Sequence, residues 1–269
     1  MTFRRTTAAA LDQLADVLSD RDRHIVDDLA RVRVLTGEQL TRLHFADLSA
    51  ASRDRTRRRV LARLVSLKLL TTLERRIGGV RAGSRGLVYA LNATGQRFSA
   101  ARSPGNRPRR PWTPGRLFLK HTLAVSELYV QLRALERAGE LQLTTFEAEP
   151  ASWHPDGSGG RLKPDAYIVV RSSDAADAYW LEQDEASEGL PTIKRKLLVY
   201  VQFARSGQVG PGGVIPRVLV SVPNEARRAA VAEVIACLPD PAFQFIHCVI
   251  YPQVVKQMSS VVNNIVDYG

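Results

Sequence analysis

The sequence predicts a two-domain chain of mixed α+β and α/β character, and three observations lead to that expectation. Its 269 residues are enough for two cores of ordinary size. The stretch 102–116 holds four prolines and five arginines without periodicity, which reads as a stiff, extended, basic linker. On either side of it the order of elements differs: helices followed by paired strands before it, strands interleaved with helices after it. The expected boundaries are a first domain over 1–101, the linker 102–116, a second domain over 117–252 and a tail over 253–269.

In the first domain, Leu11, Leu14 and Leu18 mark a short N-terminal helix. Ser19 followed by Asp20-Arg21-Asp22 is a helix start, with Ile25, Val26 and Leu29 at helical spacing. Thr36, with Gln39 three residues on, predicts a capping box and a second short helix. A third helix runs from about Ser52 to Leu67. Alternating β runs at Leu69–Ile77 and Gly86–Leu91, joined by a Gly-rich connector, read as a hairpin. Three helices followed by a hairpin is the order of a winged helix-turn-helix. Asn92 opens a last turn of helix.

The second domain reads as a helix (117–138), three strands (141–148, 165–170, 178–182), a helix (192–203), a strand (217–222), a helix (225–237) and a strand (245–251). His154 and the glycines after it mark a turn. The tail has no assignable pattern.

Charge is distributed very unevenly. Residues 1–116 hold 24 Lys+Arg against 10 Asp+Glu, and the remaining residues 14 against 17, which recovers the net +11 of the whole. A basic front half joined to a slightly acidic back half implies one part that docks on a polyanion and another with a different task. The apolar fraction of 45% and charged fraction of 24% are those of a folded chain. No apolar run approaches membrane-spanning length, and no apolar stretch follows the N-terminal arginines, so neither a transmembrane helix nor a signal peptide is expected. Cys237 and Cys248 read as two buried, reduced thiols, and the expected location is cytoplasmic. No P-loop, nucleophile elbow or closely spaced His/Cys set is present.

The third helix carries the densest basic pattern. Val60, Leu61, Leu64 and Leu67 share one face at 100° per residue, while Arg55 and Arg59 fall on the opposite one, flanked by Arg58 and Arg63. Arg53 and Arg57 point nearer the core side and lie across the helix's N-terminal edge, with Arg53 counted beside Arg55, Arg58, Arg59 and Arg63 among the expected DNA contacts. Guanidinium groups on the outer face of such a helix suit phosphates and guanine edges, and Arg75, Arg76, Arg81 and Arg85 of the hairpin add contacts to the adjacent backbone. The expected partner is double-stranded DNA. A solvated arginine face is the plain alternative for the helix alone.

The second domain offers carboxylates. Asp165 stands at the mouth of one strand, and Glu182, Asp184 and Glu185 end the next, so strand pairing brings Asp165 near Glu182. Two carboxylates with a backbone carbonyl between them suit Mg²⁺, or Mn²⁺, with Asp165 and Glu182 as ligands. Glu127 on the long helix lies on the same side in this element order. Strand-entry capping by Asp165 and a solvated acidic loop at 182–188 are the plain alternatives.

This constellation resembles the PD-(D/E)xK nuclease-like superfamily, which implies a restriction-endonuclease-like fold and a metal-dependent phosphodiesterase site. The match departs at Asp184, where those proteins have lysine. Lys196 or Lys194 on the following helix can supply that cation, and Lys196, in register with Tyr200, is favoured. His121 to Glu127, Lys163-Pro164-Asp165, Leu181 to Asp184 and Lys196 to Tyr200, in this order behind a winged helix, resemble the replication-relaxation family of actinobacterial plasmids and integrative elements. That resemblance implies a role in plasmid replication or mobilisation, with other replication or conjugation proteins and a second copy of the chain as further partners. It leaves open whether the site, with Asp165, Glu182, Asp184, Lys196 and Glu127 as catalytic candidates, cuts DNA. The competing reading is a non-catalytic regulator that uses the second domain for dimerisation.

Overall fold

The computed structural model describes residues 7–73, 86–102, 114–172 and 175–264. The chain divides into two compact units, 1–126 and 127–269. The division falls inside one long helix.

The first unit contains α1 (Ala8–Val17), α2 (Asp20–Val32), β1 (Val34–Thr36), α3 (Gly37–His44), α4 (Ala50–Ser66), β2 (Leu70–Leu73), β3 (Val88–Leu91) and α5 (Ala93–Arg102). The long helix α6 (Arg116–Arg137) begins in it. Both expected caps form. Ser19 Oγ accepts from the Asp22 backbone N–H while the Asp22 carboxylate accepts from Ser19, and Thr36 and Gln39 repeat that exchange at the start of α3. β1, β3 and β2 make an antiparallel sheet in that order. β1 is a strand that the residue pattern did not announce: Val34-Leu35-Thr36 is too short to show alternation and is recruited by pairing with Val88–Ala90. Ile25, Leu29, Leu40, Phe45, Leu61, Leu64 and Phe98 fill the core. Gly95 of α5 lies against the Leu69 carbonyl so closely that a Cβ would meet that oxygen at 2.2 Å, which no larger residue tolerates without backbone movement.

The second unit contains the end of α6, β4 (Gln142–Ala148), β5 (His154–Pro155), β6 (Arg161–Leu162), β7 (Ala166–Ser172), β8 (Ala175–Gln183), α7 (Leu190–Arg205), β9 (Arg217–Val222), α8 (Glu225–Ala236), α9 (Ala242–Phe245), β10 (Ile246–Ile250) and α10 (Val254–Asn264). Five strands form one mixed sheet in the order β10-β9-β8-β7-β4. β4, β7 and β8 are antiparallel neighbours, whereas β8, β9 and β10 run parallel. The helices α7 and α8 supply the two crossovers that parallel pairing demands. Ala178, Trp180, Val218, Val220 and Val222 of the strands pack with Ile193, Leu197, Tyr200 and Val201 of α7. His154 of the small β5–β6 ladder stacks against Trp180 and Phe203, with ring centroids 6.2 and 5.9 Å away.

The tail, to which the sequence analysis assigns no element, holds α10, in contact with β7, β8 and β10 and with Val254 and Met258 as its fully buried positions. Cys237 is exposed at the end of α8 and Cys248 is part-buried, both as free thiols, so the expectation of two buried thiols is corrected at Cys237. The helix-end position explains it, because α8 turns only Val231 fully inward.

Candidate functional site

The arginines of α4 fall into two sets by what they touch. Arg57 is 1% exposed and sits four residues before the buried Leu61. Its Nη1 donates to the Gly37 carbonyl at 3.2 Å and to Thr41 Oγ1 at 3.3 Å, which ties α4 to the first turn of α3. Arg53 donates from Nη2 to the Leu48 carbonyl at 2.7 Å and binds the loop before its own helix. Arg63 pairs with the fully buried Asp22 carboxylate, whose pKa burial would raise but the bonds from Ser19 and Arg63 bring below its usual value. These three groups hold the fold together.

The other set faces outward. Arg55, Arg58 and Arg59 are exposed. Arg58 donates to the Asp54 carbonyl of its own helix at 3.2 Å. Arg55 and Arg59 make no hydrogen bond or ion pair with the described residues. They lie on one side of a helix whose opposite side is core, so their charge is directed at solvent. Arg75, Arg76, Arg81 and Arg85 lie outside the described residues, as does most of the basic stretch 102–116.

The carboxylates gather where β7 begins and β8 ends. Antiparallel pairing sets Ala166 opposite Leu181, which brings Asp165 beside the last residues of β8. The Asp165 N–H donates to the Leu181 carbonyl at 2.9 Å, and Asp165 Oδ2 accepts from the Gln183 N–H at 2.7 Å. Glu182, between these two contacts, is buried under α7 and accepts a hydrogen bond from the Tyr200 hydroxyl. Burial first, and the neighbouring Asp165 charge second, push the Glu182 pKa up to about 8, against the opposing pull of Tyr200 and Lys196. Burial beside that carboxylate drives the Tyr200 hydroxyl far above its usual value.

Lys196 stands one turn before Tyr200 on α7, and its Nζ lies 2.9 Å from Glu188 Oε2. Burial works against its charge, but the bond to Glu188 and the charges of Glu182 and Asp165 outweigh it and raise the pKa. Lys194, exposed like Lys196, makes no such bond. Asp184 is turned into an ion pair with Arg227 of α8, at 2.5 Å. Arg227 escapes a reading of the sequence because it lies 43 residues away, behind its Asn224 cap. Glu127 accepts from Gln131 at 3.2 Å on its own helix, and His121 rests on the Phe118 ring.

Chemically, the Asp165–Glu182 pair is two hard-oxygen groups whose charges oppose one another. Mg²⁺ is commonly held by one or two carboxylates, with water and phosphate completing its shell, and this donor set fits it. Among the described residues no group of three or more His, Cys, Asp or Glu is arranged to hold a metal ion. No helix among them is long and apolar enough to cross a membrane.

A family model described as replication-relaxation matches residues 26–218, from the middle of α2 to the start of β9. A search of curated proteins and a search of solved structures each return no match.

Proposed function

The chain belongs to the replication-relaxation family, and from that premise we propose that it binds double-stranded DNA of a plasmid or other mobile element during its replication or mobilisation. The observation that carries the reading is the outer face of α4. Arg55 and Arg59 spend their charge on nothing within the described residues, while Arg53, Arg57 and Arg63 of the same helix are engaged internally. The third helix of a winged helix-turn-helix is the element that enters the major groove, where arginine reads guanine O6 and N7 and grips phosphates. Binding that neutralises several phosphates releases counterions and weakens steeply with salt. A gel-shift titration of wild type and the Arg55→Ala/Arg59→Ala variant over a salt series tests it. Loss of affinity with a shallower salt slope supports the reading; identical curves overturn it.

A second reading, metal-dependent cleavage, is favoured by the Asp165–Glu182 juxtaposition. In it Asp165 and Glu182 hold Mg²⁺, which when bound lowers the pKa of a water and steadies charge on a phosphodiester. Lys196, kept charged by Glu188, offers a cation to a phosphate oxygen beside the pair. Tyr200 orients Glu182 by donating to one of its oxygens, leaving the other to the cation. Supercoiled plasmid incubated with Mg²⁺ or Mn²⁺, with and without chelator, reads the activity. Asp165→Ala abolishing metal-dependent nicking while duplex affinity stays intact supports the assignment, and robust nicking by that variant removes it.

A further inference from the structure

The segment between β8 and α7 is gripped at both ends by one side chain. Arg227 Nε donates to Asp184 Oδ2 at 2.5 Å, and its Nη2 donates to the Glu188 carbonyl at 2.7 Å. Both partners of the ion pair are withdrawn from water, with side-chain exposures of 3% for Asp184 and 15% for Arg227. Asp184 is fixed further: its N–H donates to the Ser221 carbonyl at 2.8 Å, and its Oδ1 accepts from the Ala186 N–H at 2.9 Å. Ala186 takes a left-handed φ of 55°, so the loop turns sharply there. Out of this segment Glu188 reaches Lys196.

We infer that Arg227 is a positioning residue of the Asp165–Glu182 site, holding the 184–188 loop in the shape from which Glu188 keeps Lys196 beside the carboxylates. The role rests on reading Lys196 as the cation of that site. It also accounts for aspartate at 184. A lysine there would face a part-buried guanidinium with no counter-charge, whereas the aspartate neutralises it and satisfies the Ala186 N–H as well. Asp184 thereby anchors one end of the loop whose other end holds Lys196.

The test uses the full-length chain without metal or DNA. Calorimetry reads the melting temperature, and the side-chain ¹⁵N NMR signal of the Lys196 ammonium, slowed in proton exchange by pairing, reads its placement. Arg227→Ala is expected to lower Tm by about 6–20 °C, the effect of stripping one partner from a buried pair. It should also remove the slow Lys196 signal, as Glu188→Gln does directly. Asp184→Asn, which keeps the side chain's shape, should shift both readouts in the same direction by less and guards against loss of folding. If Arg227→Ala or Asp184→Asn lowers Tm while the Lys196 signal stays as in wild type, Arg227 serves stability alone and the inference fails. Neither readout involves cleavage, so the nicking assay with Asp165→Ala judges the catalytic reading separately.

Discussion

The outer face of α4 in the first unit and the surroundings of the sheet in the second treat charge in opposite ways. On α4 of the first, Arg55 and Arg59 are left without counter-charge at the surface. In the second, cations and anions around the sheet neutralise one another: Arg227 with Asp184, Arg217 with Asp177, Lys196 with Glu188. Asp165 lies beside Glu182 there, and burial first, with the Asp165 charge second, lifts the Glu182 pKa to about 8. The α4 face thus presents its cations to solvent, whereas the carboxylates of the β7–β8 edge are drawn inward and feel the charge of Lys196.

The comparison is sharpened most by separating the two arginine sets of α4. Arg55→Ala/Arg59→Ala should weaken duplex binding by about 2–6 kcal/mol if both reach base edges, with little change in stability. Arg57→Ala should do the reverse, costing about 1–3 kcal/mol of folding free energy by removing a buried side chain and its bonds to Gly37 and Thr41. Gel shift and thermal melting on both variants check this. A Tm loss in the first, or none in the second, breaks the division.

Smaller in size is the pH signature of the carboxylate pair. Glu182 is raised in the folded chain, so the stability it contributes is fully present below the ordinary glutamate pKa of about 4.3 and is lost as pH rises through about 8. Wild type in chelator should therefore lose Tm across that window, and Glu182→Gln should flatten the loss, by about 2–4 °C for each kcal/mol recovered. Mg²⁺ should restore wild type at pH 8 and leave Glu182→Gln unmoved. Equal pH profiles for the two proteins would contradict the coupling. Smallest of all, Arg228→Ala, which removes an exposed partner of Glu225, should leave Tm unchanged within error in a melting scan.

Much of the architecture was legible because it follows local rules. The helix start at Ser19, the Thr36 capping box, the apolar stripe of α4 and the order of strands and helices after α6 are each written in neighbouring residues. What escaped depends on partners far apart in sequence. β1 exists through pairing with β3 and leaves no periodic trace of its own, whereas α10 does carry one, its buried Val254 and Met258 standing four residues apart. Arg57 stands on the core side by its spacing to Leu61 and Leu64, but its bonds to Gly37 and Thr41, 20 and 16 residues away, could not be foreseen. The Asp165–Glu182 juxtaposition followed from strand pairing, whereas the Arg227 clamp on Asp184 is a contact across 43 residues that no local pattern announces.

The most direct measurement of the central claim is the salt dependence of duplex affinity for wild type and Arg55→Ala/Arg59→Ala, by fluorescence anisotropy from low ionic strength upward. Wild type should bind tightly at low salt and lose affinity steeply, with a log–log slope about two units steeper than the variant's if both arginines contact phosphates. Failure of wild type to bind duplex DNA at low ionic strength, or equal slopes and affinities for the two proteins, would contradict the account.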